Sequence, residues 1–491
     1  MSLPDLNPST GNPHRRYAQP TITVEAVPLI TVRRIHTALA AAILAVATLT
    51  GAASIPTAHP GTAPPVAAPQ VIHLETITLV NTETSDVSTQ VFGVADSELY
   101  NLNQADLVAQ LSEIRDLGVT DLRLGVPWLY IQPMATTYDW AQMDNVINTA
   151  HSMGFTITAA ITGTPAWDGP VISGAPHPTA YANFAAEVAE RYSGEISSYE
   201  IWNEPNGVIF YSPVSAESYT SVLQAAYTAI KEVDPDAIVL AGALGATTTI
   251  AGLSVSPQEF LEQMYASGAH GYFDAVSYHP YHYTLPFSAG LGVTNSPLDQ
   301  VLALNAIMAA NGDGALKIWA TEYGHPTTPV FGVSETVQAS FLEDFLIAWS
   351  KLPFAGPAFV YSAQDVATGM LNHEANFGLF TDDGTPKPAA EVLANLIAAS
   401  ANGALPDYTA PPLPEAEVVY IQLASLVSGV INQSLIIPNA LMGALYQVLP
   451  EPLQQAFTAL SDFITAATTQ FLEATKPLVV DTISLLLDLG F

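Results

Sequence analysis

Two glutamates stand directly behind short apolar runs. In the stretch Tyr199 to Asn206, Ile201 and Trp202 lead into Asn203, Glu204, Pro205 and Asn206. In Ile318 to Pro326, the run Ile318, Trp319 and Ala320 leads into Thr321, Glu322, Tyr323 and Gly324. Two carboxyl groups facing one another across a cleft can break a glycosidic bond, because one protonates the leaving oxygen while the other attacks the sugar or activates water. A separation of roughly 5–5.5 Å permits direct attack and retention of configuration, whereas about 6.5–9.5 Å leaves room for a water and gives inversion. The sequence carries no distance, so the residues alone leave both outcomes open. Taken singly, either glutamate reads equally well as a solvated loop carboxylate.

Other side chains gather behind similar runs. His279, Tyr281 and His282 follow the apolar start of Ser277 to Tyr283, where a histidine can line a site or be satisfied within a loop. Trp128, Trp167, Tyr323 and Tyr361 follow further runs. Large flat rings bury the apolar face of a sugar, and Trp128 and Trp167 are the expected walls of such a subsite. The histidines lack a matching acidic or cysteine set, so neither a metal nor any other cofactor is expected.

These candidates need a scaffold that points them all the same way. From about Val71 to Ser400 the chain alternates β-rich runs with amphipathic helical stretches, the pattern of repeated β/α units. The runs are Val91 to Val94, Asp121 to Gly125, Thr156 to Ile161, Ser198 to Trp202, Ala237 to Ala241, Ala275 to Tyr278, Lys317 to Thr321 and Pro357 to Tyr361. That set closes a (β/α)8 TIM barrel, in which active sites occupy the C-terminal ends of the strands. Helical patterns include Tyr181 to Tyr192 and Tyr219 to Val233, the second stopped by Asp234 and Pro235.

Around the barrel, residues 1–58 read as a signal peptide with an extended n-region, in which Arg33 and Arg34 precede the apolar run Thr37 to Ala53. A single uncleaved membrane anchor is the alternative, although that run is short for a span of about 20 residues. Residues 59–75 form a Pro/Ala-rich linker, 76–400 the catalytic barrel and 401–414 a Pro-rich linker. Residues 415–491 form an apolar helical appendage, with Leu453, Phe457, Leu460, Ile464, Ala467 and Phe471 on one helix face. That segment reads as a helical bundle or as an element associating with the cell envelope, and the protein as secreted or envelope-associated.

Twelve basic residues face 45 acidic ones in a chain of 491, a formal net charge of −33. Nucleic acid and anionic lipid both require clustered Lys and Arg, so neither is an expected partner. The absence of cysteine excludes disulfides and thiolate chemistry.

The run Trp202, Asn203, Glu204, Pro205 resembles the fourth-strand motif of the clan A retaining glycoside hydrolases, and Trp319 to Gly324 resembles the seventh-strand nucleophile motif of cellulase-like and β-xylosidase-like members, of family 5 or family 39 type. The resemblance covers most of residues 90–392, including the closing segment Asn376 to Pro388. It implies that Glu204 is the general acid/base, Glu322 the nucleophile and Asn203 a hydrogen-bond donor to the sugar 2-hydroxyl. Arg123 would hold the nucleophile ionised, and His279 and Tyr281 would line the site. The implied substrate is a β-linked oligo- or polysaccharide, cleaved by double displacement without a cofactor. Many clan members carry a tryptophan at the end of the eighth strand, where this chain has Tyr361 and then Gln364. A transglycosylase would use the same residues, and a non-catalytic cell-wall carbohydrate-binding barrel is the rival from another class. In a third reading the apolar tail is the principal functional part.

Overall fold

The computed structural model describes residues 90–406, apart from 284, 292, 294, 328–332 and 370–372. The segments read above as signal peptide (1–58), linkers (59–75 and all but the first residues of 401–414) and C-terminal appendage (415–491) lie outside the described residues.

Eight parallel strands close into a barrel in sequential order, β1 pairing with β2 and on to β8, which returns to β1. They are β1 (Phe92–Ala95), β2 (Asp121–Pro127), β3 (Thr156–Thr162), β4 (Ile196–Asn203), β5 (Ile238–Gly245), β6 (Ala275–His279), β7 (Lys317–Tyr323) and β8 (Ala355–Tyr361). Each β-run expected from the sequence is present, and the barrel is a (β/α)8 fold. The largest difference is β5, which continues past the expected Ala241 to Gly245. Its glycines read locally as breakers. A Cβ on Gly242 would lie 2.2 Å from Ile201 O, so the glycine is what lets β5 approach β4.

The outer layer consists of α1 (Gln104–Asp116), α2 (Ala141–Ser152), α3 (Pro178–Arg191), α4 (Ala216–Val233), α5 (Pro257–Ala266), α6 (Pro297–Ala310), α7 (Glu335–Ser350) and α8 (Pro388–Ala401). Every one of these helices except α2 starts with ordinary capping chemistry. The side chains of Asn103, Ser215, Ser256, Ser296 and Ser334 accept hydrogen bonds from first-turn N–H groups. Proline opens α3, α5, α6 and α8, where a missing N–H is harmless. That chemistry starts α3 and α4 three residues ahead of the apolar periodicity that announces them. The core lies between barrel and helices, filled by side chains such as Ile157, Tyr181, Phe184, Leu223 and Phe345. Every strand therefore ends on the same face, and the βα loops there carry the candidate residues.

Candidate active site

Glu204 is set by the backbone where β4 ends. Trp202 has φ 74° and Glu204 φ 45°, both in the left-handed region that costs an L-residue about 1–3 kcal/mol. Packing over-determines this conformation. The Trp202 ring is fully buried against Tyr181 and Tyr211, and its indole N–H donates to Phe210 O at 2.8 Å. Beyond the glutamate, the buried Asn206 carboxamide donates to Gly245 O and Val255 O and accepts from Gly245 N, each at 2.9 Å, which pins the turn to β5. The Glu204 side chain keeps 21% exposure, enough to meet a ligand.

Glu322 leaves β7 opposite and is held by both oxygens. Arg123 Nη1 donates to Oε1 at 2.5 Å, and Tyr281 Oη donates to Oε2 at 2.9 Å. Burial alone would raise the Glu322 pKa. The charges of His279 and Arg123 and the hydrogen bonds from Tyr281 and Arg123 outweigh it, so the carboxyl stays below the ordinary glutamate value and is an anion at neutral pH.

Between the two glutamates stands the buried imidazole of His279, at the end of β6. Its Nδ1 is 2.9 Å from Glu204 Oε1 and 3.7 Å from Glu322 Oε2, and its Nε2 is 3.1 Å from Thr321 Oγ1. Burial pulls the histidine pKa down, but the Glu322 charge and the Glu204 contact more than offset that, and the net shift is upward. One ring thus bridges both carboxyl groups.

Arg123, on β2, is 3% exposed and uses all three nitrogens. Besides Glu322 it donates from Nε and Nη2 to Glu200 Oε2, at 2.8 and 2.5 Å, and from Nη2 to Asn203 Oδ1 at 2.8 Å. Burial opposes its charge, yet Glu200 and Glu322 together raise its pKa above the usual arginine value. Arg123 thus holds Asn203 by its Oδ1 and fixes which end of the carboxamide is the donor.

Residues 80–345, more than half of the chain, match the family model Cellulase (glycosyl hydrolase family 5). The chain belongs to this family. Among solved structures, a family 39 glycoside hydrolase from Bacteroides cellulosilyticus WH2 superposes with a TM-score of 0.52 at 24% identity, over 64% of this chain and 65% of its own. The chain therefore spans just under two thirds of that protein's length. A monomeric β-xylosidase from Caulobacter crescentus CB15 gives 0.50 at 18% identity, over 63% and 68%. A GH5_18 protein from Streptomyces cattleya, in complex with GlcNAc, gives 0.50 at 17%, over 67% and 83%. At these identities the likeness is one of fold. No protein of curated function matches the chain by sequence.

In this family 5 barrel, Glu204, Glu322, Asn203, Arg123, His279 and Tyr281 come together, although they lie on β2, β4, β6 and β7 and in the loops after β4 and β6. The aromatic walls do not follow the expectation. Trp128 has no exposed surface: it stacks on Phe184, meets Trp167 and Tyr181 edge-on, and donates its indole N–H to Gln132 Oε1 at 2.7 Å. It is core and cannot present a face to a sugar. The one-turn helix Trp128–Ile131 that follows β2 turns its ring inward. Trp167 donates to Gln132 O at 2.8 Å and remains partly accessible, so of this pair it alone can still meet a ligand. Tyr323 is likewise buried, stacked on Phe345.

His282 serves its own loop, accepting from Leu285 N on Nδ1 at 3.1 Å, and burial lowers its pKa to about 4. Tyr361 takes the place expected of an eighth-strand tryptophan. It packs edge-on against Phe377 and donates to Glu374 Oε2 at 3.3 Å, while Gln364 is drawn away to Thr381 O and Asp382 O.

Two site residues escaped the sequence reading. Glu200 sits within β4, two residues before Trp202, and a charged residue inside an apolar strand was the available signal. Gly245 carries no such signal, because its importance lies in what stands opposite.

Proposed function

We propose that this family 5 barrel is a retaining hydrolase of β-linked glycans, with Glu322 as nucleophile and Glu204 as acid/base. A Glu322 oxygen attacks the anomeric carbon while the bond to the leaving oxygen breaks and that oxygen takes the Glu204 proton. Water then attacks the same carbon, gives its proton to Glu204 and releases Glu322 as a carboxylate. Asn203, with its oxygen occupied by Arg123, offers N–H to the sugar 2-hydroxyl.

The observation that carries the reading is the shared imidazole. With His279 Nδ1 2.9 Å from Glu204 Oε1 and 3.7 Å from Glu322 Oε2, those oxygens can be no farther apart than the two distances laid end to end. That limit falls at the bottom of the inverting range of about 6.5–9.5 Å, and any bend at the nitrogen moves the pair toward the retaining range of about 5–5.5 Å. A Glu322 held ionised by Arg123 and Tyr281 further supports attack by the carboxylate itself. The proposal includes export, supported by Arg33, Arg34 and the apolar run behind them, with residues 415–491 as the element that contacts the envelope.

Proton NMR of a fresh digest of an aryl β-glycoside reads the configuration of the first-formed product, and a β product is expected. Glu204→Gln and Glu322→Gln should each lose about 10²-fold or more in kcat/KM. An α product sinks double displacement. Full activity in either variant sinks the assignment of that residue.

A further inference from the structure

We propose that Glu200 is a positioning residue for this reaction: a permanent countercharge that neutralises Arg123 while Glu322 passes between carboxylate and glycosyl ester. The inference rests on the double-displacement reading above. Glu200 has no exposed surface, and its Oε2 receives both Nε and Nη2 of Arg123 at 2.8 and 2.5 Å. Its other oxygen, Oε1, is buried and has no hydrogen-bond partner among the described residues.

A buried carboxylate with one oxygen unsatisfied is a poor stabilising device, since desolvation offsets much of the ion-pair attraction and the orphaned acceptor adds to the cost. The arrangement makes sense once the charge of Glu322 is followed through the reaction. In the free enzyme Arg123 lies between two anions, Glu200 behind and Glu322 in front. When Glu322 attacks, its charge is consumed in the new C–O bond and its oxygen becomes that of a neutral ester. Without Glu200, Arg123 would then be a cation 3% exposed with no anionic partner, which opposes formation of the intermediate. With Glu200 the guanidinium remains neutralised in both states. Nη2 is also kept on Asn203 Oδ1, so that carboxamide does not turn as Glu322 changes charge.

The role has a signature that general support of the fold lacks, because it affects the two half-reactions in opposite senses. Removing the Glu200 charge leaves Arg123 to hold the Glu322 anion more tightly, which hinders glycosylation and favours release of the carboxylate in deglycosylation. The half-reactions can be timed separately with a 2,4-dinitrophenyl 2-deoxy-2-fluoro-β-glycoside, in the sugar series of the aryl glycoside that the wild type cleaves best. The rate of inactivation measures glycosylation, and the rate of reactivation after the excess reagent is removed measures deglycosylation. Both are first-order constants independent of the active fraction.

In Glu200→Gln, which keeps the shape and an acceptor for Arg123, inactivation should slow about ten- to a hundred-fold while reactivation is unchanged or faster. In Glu200→Asp, which keeps the charge, the ratio of the two rates should stay near the wild-type value. Equal slowing of both steps in the glutamine variant, no change in either, or a ratio in the aspartate variant matching that of glutamine would overturn the role. A wild type that hydrolyses with inversion and resists inactivation would remove double displacement itself, and this role with it. A wild type that is inactivated and reactivated normally confines any failure to Glu200.

Discussion

Gly245 leaves no room for a side chain beside Glu204: a Cβ at that position would lie 2.9 Å from both Cδ and Oε2 of the glutamate. The glycine ends β5, its backbone is clasped by the Asn206 carboxamide, and the acid/base carboxyl of the proposed reaction lies across it. The crowding falls on the far end of a flexible side chain, so a substitution there should displace the carboxyl and spare the fold. Gly245→Ala is expected to lower kcat about 10- to 100-fold, because a misplacement of about 1 Å in a reacting group has that scale of effect. The melting temperature should move by only a few degrees. Steady-state kinetics and a thermal melt check this, and unchanged kcat means that the glutamate relaxes without consequence.

Tyr281→Phe removes the hydrogen bond to Glu322 Oε2 and nothing else of comparable size. The nucleophile works ionised, so activity is lost as pH falls through its pKa. Deleting a donor to the charged form raises that pKa, and the acidic limb of kcat/KM should move up by about half to one pH unit, the equivalent of one hydrogen bond of about 1 kcal/mol. A pH profile whose acidic limb stays in place would show that Arg123 and His279 alone set the ionisation.

Asp96, just beyond β1, accepts hydrogen bonds from Glu98 N at 2.8 Å and Ala363 N at 3.1 Å and thereby ties β1 to the loop after β8. Burial pushes its pKa up from 3.8 to about 6, despite those hydrogen bonds. The folded state therefore favours the neutral acid. Its contribution is fully present below about pH 3.8 and is lost as pH rises through about 6, on the order of 3 kcal/mol in all. Urea unfolding of wild type and Asp96→Asn between pH 4 and 7 should give curves that converge or cross over this window. Parallel curves would count against a displaced Asp96 titration.

Trp128 separates core from subsite in one experiment. Trp128→Ala deletes a fully buried ring from between Phe184, Tyr181 and Trp167 and leaves Gln132 Oε1 without its donor, so a loss of about 3–5 kcal/mol in unfolding free energy is expected. Below its melting range the variant should keep a near-normal KM, which no wall of a sugar subsite would do. A large rise in KM with little loss of stability reverses the reading.

The barrel was legible because its signals are local and repeated. Strand runs such as Thr156 to Ile161 and Ala275 to Tyr278 are short, apolar and bounded, and each is followed by a helix that opens on a proline. The pair Glu204 and Glu322 was legible for the same reason, since a carboxylate directly behind a buried strand end must emerge at the barrel mouth. Asn203, His279 and Tyr281 also stand at or just past strand ends, whereas Arg123 lies inside β2.

The tertiary structure alone decided distance, facing and company. No pattern along the chain distinguishes Trp128, turned into the core by the one-turn helix it starts, from Trp167, which stays partly accessible, because the two differ in what packs around them and not in what precedes them. Glu200 and Gly245 acquire meaning only from residues far away in sequence, Arg123 in one case and Glu204 in the other. The sequence by itself determined which groups reach one end of the barrel, since strand period and strand order are local properties. Which of them touch, and hence whether Glu322 is an anion and how His279 stands between two carboxyl groups, depends on contacts between strands that only closure of the barrel brings within a few ångströms.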